Sequence, residues 1–332
     1  MTSSLRNGIV IGISALLVIL VFIFFILPRV VSAPPEEAIN GTSSGNSAST
    51  VSTEFLAPFS SEKLGTVDRD ITYCTIDGVN LGMDIHWPES GEGPFPVVVY
   101  VHGGGWNAGD KGEERPLGGY LGDILPRGIA VIAVNYRLAQ EYTFPAMIED
   151  VKCAVRSIRA NAEQYHIDPD RIAALGGSAG GHLVSLLGVT DASAGFDDVG
   201  QYQDVSSRVV AVANMYGPTD LTVPNAGTTS QSIQNTFGTS NYDDMGFASP
   251  ITYITSEDPA FLLIHGEKDT VVPIAQSESF AKALEEAGIE VEFIRVANAA
   301  HSFSKATKNV ATDPTIPEIT VIVAEWLESH LK

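Results

Sequence analysis

The chain has 332 residues and carries 40 acidic against 19 basic side chains, a net charge of −21. So little positive charge excludes nucleic-acid binding, which needs a basic surface to neutralise phosphates, and the acidity itself bears on solubility rather than mechanism. No spacing of His, Cys, Asp and Glu reads as a metal site and no pattern asks for a cofactor. The length allows one α/β core of roughly 260 residues beyond an N-terminal extension.

Residues 8–27 form an uncharged, almost wholly apolar run between Arg6 and Pro28-Arg29. About 20 apolar residues span a bilayer, whereas a signal-peptide core has about 7–15. The length favours a single-pass anchor within 1–33, and Val31-Ser32-Ala33 keeps a cleaved signal open as the alternative. Glu36 and Glu37 lean towards a domain displayed outside the cytoplasm. Residues 34–66 are rich in Ser, Thr, Gly and Pro and read as a flexible tether, with a glycosylation sequon at Asn40-Gly41-Thr42. The rest, 67–332, is expected to be one catalytic domain.

Within it, 66–76 and 81–87 alternate apolar and polar residues around Asp77-Gly78, the pattern of an antiparallel hairpin at a sheet edge. A buried strand ending at Val101, a short helix over 117–125 and a strand over 130–136 follow. The spacing of Met147, Val151, Ala154, Val155 and Ile158 predicts an amphipathic helix over 145–165. Next come a strand and helix around Ser178, a strand over 209–215 and a variable, polar stretch over 223–257 without amphipathic periodicity. Two further strand–helix units end the chain, with Trp326 and Leu327 expected to pack on the sheet. Strands alternating with helices indicate a mostly parallel sheet covered on both faces. Cys74 and Cys153, in the first strand and the long helix, read as two buried free thiols.

Two motifs carry chemistry. Gly176-Gly-Ser-Ala-Gly180 follows a short apolar strand and opens a helix, the strand–turn–helix setting in which a serine hydroxyl is held at a sharp, strained turn. Upstream, Val97-Val-Val-Tyr-Val-His-Gly-Gly-Gly-Trp106 is a buried strand ending in a glycine loop suited to donating backbone N–H groups to an oxyanion. The partners of Ser178 are expected downstream, acid before histidine, at strand ends along one edge of the sheet. Asp269, just past the strand over 260–265, and His301, in the loop after the strand over 291–296, meet that order. His301 would take the Ser178 proton, and Asp269 would fix its tautomer. Asp220 is the rival acid, one strand earlier. His102 reads as a pin for the glycine loop, His182 as a packing or surface residue, His265 as structural, and Arg137 with Asp150 as a structural ion pair.

With these residues and Asn135-Tyr-Arg137, Phe144-Pro-Ala146, Tyr216-Gly-Pro-Thr-Asp220, His265-Gly-Glu-Lys-Asp269 and His301-Ser-Phe303, the chain resembles α/β-hydrolases of the esterase/lipase group from about residue 67 to its end. The likeness is greatest to bacterial feruloyl and carbohydrate esterases. It implies Ser178, Asp269 and His301 as a triad, with Gly103, Gly104 and Ala179 lending oxyanion N–H groups. Gly177 stands where hormone-sensitive-lipase-like relatives carry Asp, and their long N-terminal cap helices are missing, which argues against large lipid substrates.

The expected activity is that of a serine carboxylesterase for short-chain or aromatic acyl esters, including esters linked to polysaccharide, with no cofactor and with a membrane as partner only through the N-terminal segment. An amidase, arylformamidase or peptidase of the same fold is the second reading, and an inactive hydrolase fold serving as a binding module is a third. Acyl specificity is assigned to 223–257 and to the loop after Trp106.

Overall fold

Asp77 and Gly78 have φ of +51° and +81°, the left-handed pair a two-residue hairpin turn needs. They join β1 (Val67–Ile76) to β2 (Val79–His86), paired antiparallel with Ile76 opposite Val79. In the computed structural model, residues 61–112, 114–223 and 230–332 are described. The apolar run 8–27, the Asn40 sequon and the tether up to residue 60 lie outside them. Among the described residues no helix is long and apolar enough to cross a membrane. The last residues of the expected tether already pack on the domain: Lys63 pairs with Asp68 at 2.7 Å and lies over the Trp87 ring.

The aliphatic runs become buried central strands: β3 (Phe95–Val101), β4 (Ala130–Val134), β5 (Ile167–Gly177), β6 (Ala211–Met215) and β7 (Ala260–Gly266), with β8 (Val291–Val296) at the far edge. The order across the sheet is β1-β2-β4-β3-β5-β6-β7-β8. Pairing is antiparallel up to β2–β4 and parallel from there on. Such continuous apolar strands require cover on both faces. One face packs against α2 (Ala146–Ala160), α3 (Ala179–Val189) and α5 (Ala275–Glu286), the other against α1 (Glu114–Ile124) and α6 (Ile316–His330). The fold is that of an α/β-hydrolase.

Three expectations change. Helix α2 stops at Ala160, five residues before Tyr165, because the Asn161 side chain turns back to donate to the Ser157 carbonyl. The variable stretch is not without helix: α4 (Ser230–Phe237) buries Ile233 and Phe237, but its two turns are too short to register as a period. Cys74 and Cys153 are not free thiols. Helix α2 packs across β1 and brings their Cα atoms to 6.4 Å, and they form a disulfide closing a separation of 79 residues. Two cysteines so far apart in sequence show no spacing signal, since only the packing of helix on strand makes them neighbours.

Candidate active site

The β5–α3 turn presents Ser178 with φ 56° and ψ −121°, an unfavourable backbone for a residue with a Cβ. It is held there by its N–H, which donates to the Met215 carbonyl at 2.9 Å, and by glycines that let strand and helix approach. A Cβ on Gly180 would run into the Val101 carbonyl oxygen. From Ser178 Oγ the donor chain runs to His301 Nε2 at 3.0 Å, and from His301 Nδ1 to Asp269 Oδ2 at 2.7 Å. Ser178, His301 and Asp269, far apart in sequence, thus meet at one sheet edge.

Asp269 is tightly set. Its other oxygen accepts the Val271 and Val272 N–H groups at 2.8 and 2.9 Å. Burial alone would raise this carboxyl, but hydrogen bonding by His265, His301 and the Val272 backbone outweighs it and holds the group well below the usual carboxylate range. His265 is fully buried. Its Nε2–H donates to the Val272 carbonyl at 2.8 Å, and its Nδ1 accepts from Ser277 Oγ at 2.7 Å. It therefore shapes the acid loop, in keeping with the structural role expected of it. Asp220, the rival acid, accepts instead from the Thr222 N–H and hydroxyl at 3.0 and 2.5 Å. Arg137 and Asp150 form the expected buried pair, with contacts of 2.7–3.0 Å.

The glycine loop lies against the serine. His102 Nδ1–H donates to the Gly103 carbonyl at 2.8 Å and its ring stacks on Tyr136, which pins the loop as expected. Gly104, at φ +107°, takes a turn that a side chain would obstruct. Gly103, Gly104 and Ala179 line the same cavity as Ser178, and among the described residues their N–H groups make no hydrogen bond. That is the requirement for donors kept free for a developing negative charge. Trp106 Nε1–H donates to His182 Nδ1 at 3.1 Å, and His182 Nε2–H donates to the Ala248 carbonyl at 2.7 Å. Burial lowers the His182 pKa to about 4, so it stays neutral as both bonds require.

Other residues at the site were not singled out, or only loosely. The Tyr216 ring, expected merely to flank the cleft, packs edge-on against His301 at 5.0 Å and Phe303 at 4.8 Å. The cavity over Ser178, about 860 Å³, is walled by α1, α6 and the loops carrying Val271 and His301. Trp106 lines it, and among the described residues of 223–257 none does. The one available signal was Tyr100, a polar-tipped ring in the otherwise aliphatic interior of β3.

An α/β-hydrolase fold with a strained serine, an imidazole and a buried carboxylate in line beside an open glycine loop defines a class, and comparison with known proteins narrows it. The BD-FAE family model matches residues 83–284, and the chain belongs to that family. It is 36% identical over 221 residues to esterase LipQ of Mycobacterium tuberculosis, covering 64% of this chain and 51% of LipQ. The chain spans about half the length of LipQ and of the mycobacterial carboxylic ester hydrolase LipM. Among solved structures, a bifunctional GH43-CE protein of Bacteroides eggerthii superposes with a TM-score of 0.67 at 34% identity, over 79% of this chain and 38% of that one. A truncated carbohydrate esterase from gut microbiota superposes with a TM-score of 0.66 at 27% identity, over 82% of this chain and 99% of that one.

Proposed function

We propose that the chain is a serine carboxylic ester hydrolase for short-chain or aromatic acyl esters, including esters attached to polysaccharide. The observation that carries this reading is the continuous contact from Asp269 through His301 to Ser178 Oγ, next to the unengaged N–H groups of the glycine loop. As His301 Nε2 takes its proton, Ser178 Oγ attacks the ester carbonyl. The resulting oxyanion is met by the N–H groups of Gly103, Gly104 and Ala179. His301 then protonates the departing alcohol, and the acyl-enzyme forms. Water, deprotonated by the same imidazole, releases the acid. Asp269 keeps the His301 Nδ1 proton in place and stabilises the imidazolium. The carbohydrate esterase and carboxylesterases that the chain resembles support the substrate class, and among the described residues no long amphipathic lid helix covers the site, which supports small acyl groups.

The disulfide between Cys74 and Cys153 supports a domain working in an oxidising compartment outside the cytoplasm. There it would be held by residues 8–27 or released after cleavage near Ala33. The test is ethyl acetate hydrolysis by the full chain and by Ser178→Ala, with expression followed by carbonate extraction of membranes. A loss of about 10⁶-fold in kcat is expected for the variant. Residual activity within tenfold of wild type would remove Ser178 as nucleophile. Recovery of activity in the cytoplasmic fraction would refute the location.

A further inference from the structure

The cavity over Ser178 has an asymmetric wall. Its inner end is buried and formed by Tyr100, Tyr120 and Ile319, each no more than 4% exposed. Its outer side runs along the seam between α1 and α6, where Gly119 and Thr320 face each other. Apart from the phenols, Thr320 and the polar groups around Ser178, His301, Ser302 and Ser304, the side chains lining it are apolar, and the volume lies within the range of cavities that enclose a small organic ligand. Acetyl and ethyl groups occupy only a small part of such a space.

Among the described residues, nothing conformational or steric requires a glycine at position 119. It lies inside a helix, where glycine costs about 1 kcal/mol relative to alanine, and its φ is not positive. Among the described residues, a Cβ built there meets only Thr320 Cγ2, at 3.5 Å, which is ordinary van der Waals contact. Gly119 is itself exposed and lines the cavity, so a longer side chain directed along its Cβ, towards Thr320, takes up part of that space. The glycine therefore keeps the space open at a local cost to the helix.

We propose that the Gly119–Thr320 seam is the size-selecting element of this site, and that it admits a bulky, flat apolar arm of the ester, such as a phenyl-bearing group, into the pocket between α1 and α6. This rests on the ester-hydrolase reading. The inner wall suits such an arm because ring edges and faces pack well against aromatic side chains. Tyr120 and Tyr216 both line the cavity beside Tyr100, and burial raises the Tyr120 phenol well above its ordinary value, so it stays neutral.

The experiment compares kcat/KM for ethyl acetate, ethyl 3-phenylpropanoate and benzyl acetate in the wild type, Gly119→Ala, Gly119→Leu and Thr320→Leu. The two ring-bearing esters place the ring on the acyl or the alcohol side, so they show which arm enters the seam. For one of them, the ratio of kcat/KM to that of ethyl acetate should fall at least tenfold in Gly119→Leu, chiefly through KM. Gly119→Ala should show a smaller fall, and Thr320→Leu should reproduce the effect from the opposite helix. Ratios unchanged in both leucine variants overturn the seam as the selector. Thr320→Leu and Gly119→Ala keep the test decisive if Gly119→Leu does not fold. A wild type that turns over none of the three esters overturns the ester-hydrolase reading and this inference with it, whereas an unchanged ratio with normal ethyl acetate turnover overturns this inference alone.

Discussion

The two faces of the sheet are built differently. The face under α2, α3 and α5 is closed and carries the buried charges: Arg137 on Asp150, and Lys152 and Arg156 converging on Asp197 at 2.8 Å each. Lys152 is fully buried yet satisfied, its ammonium also donating to the Thr190 carbonyl and to Ser207 Oγ. The disulfide joins α2 to the edge strand on this side. Among the described residues, the face under α1 and α6 has no disulfide and no fully buried ion pair, and it contains the cavity, whose wall includes phenols, aliphatic groups, Thr320 and a glycine. Buried ions are costly unless fully paired, and a broken set is strongly destabilising. Such groups therefore suit a scaffold that must not move. An apolar wall can yield to a ligand at smaller cost. Scaffold and cavity are thus kept on opposite sides of one sheet, and Ser178, His301 and Asp269 sit at the strand ends between them.

That division can be broken from the reacting side with the largest effect. Asp269→Asn should lower kcat about 10⁴-fold, because it disfavours the His301 tautomer that the serine needs. Asp220→Asn should leave kcat close to wild type, since its carboxylate serves only Thr222. Equal losses in steady-state assays of the two would contradict the assignment of the acid.

The closed face should respond the other way round. Asp150→Ala leaves the buried Arg137 guanidinium without its bidentate partner, and should cost about 3–5 kcal/mol of unfolding free energy in urea titration. The folded variant should keep a kcat near that of the wild type. A kcat loss comparable to that of Asp269→Asn would mean the two faces are not separable in this way.

His182 links them, since it sits on α3 and holds Trp106 at the cavity, and it sharpens the comparison through pH. Its folded pKa of about 4 lies below the ordinary 6.5, so the unfolded chain binds a proton that the folded chain refuses between those values. Stability from this group is complete above pH 6.5 and lost as pH falls towards 4, by about 3 kcal/mol. In His182→Gln, urea midpoints at pH 7 and pH 4.5 should differ by less than in the wild type. Identical differences would show that the imidazole is not the group responsible.

Local signals in the chain foretold most of this molecule. The hairpin at Asp77-Gly78, the aliphatic strands and the α2 stripe from Met147 to Ile158 were legible because strand and helix periods and turn backbones are properties of neighbouring residues. The serine elbow and glycine loop were legible for the same reason, and the placing of Asp269 and His301 followed from the order of strands. The end of α2 was misplaced because a single Asn161 side-chain bond competes with a continuing helix.

What the sequence by itself determined is therefore the fold class, the parallel sheet and the identity of the three residues in line at its edge, because each is written in a short segment or in the order of segments. Tertiary structure alone decided the Cys74–Cys153 bond, the fixing of Asp269 by His265 and of Trp106 by His182, and the cavity between α1 and α6. Each of these depends on the distance between groups remote in sequence. Such distances are set by how helices pack on the sheet, and no period or motif along the chain encodes them.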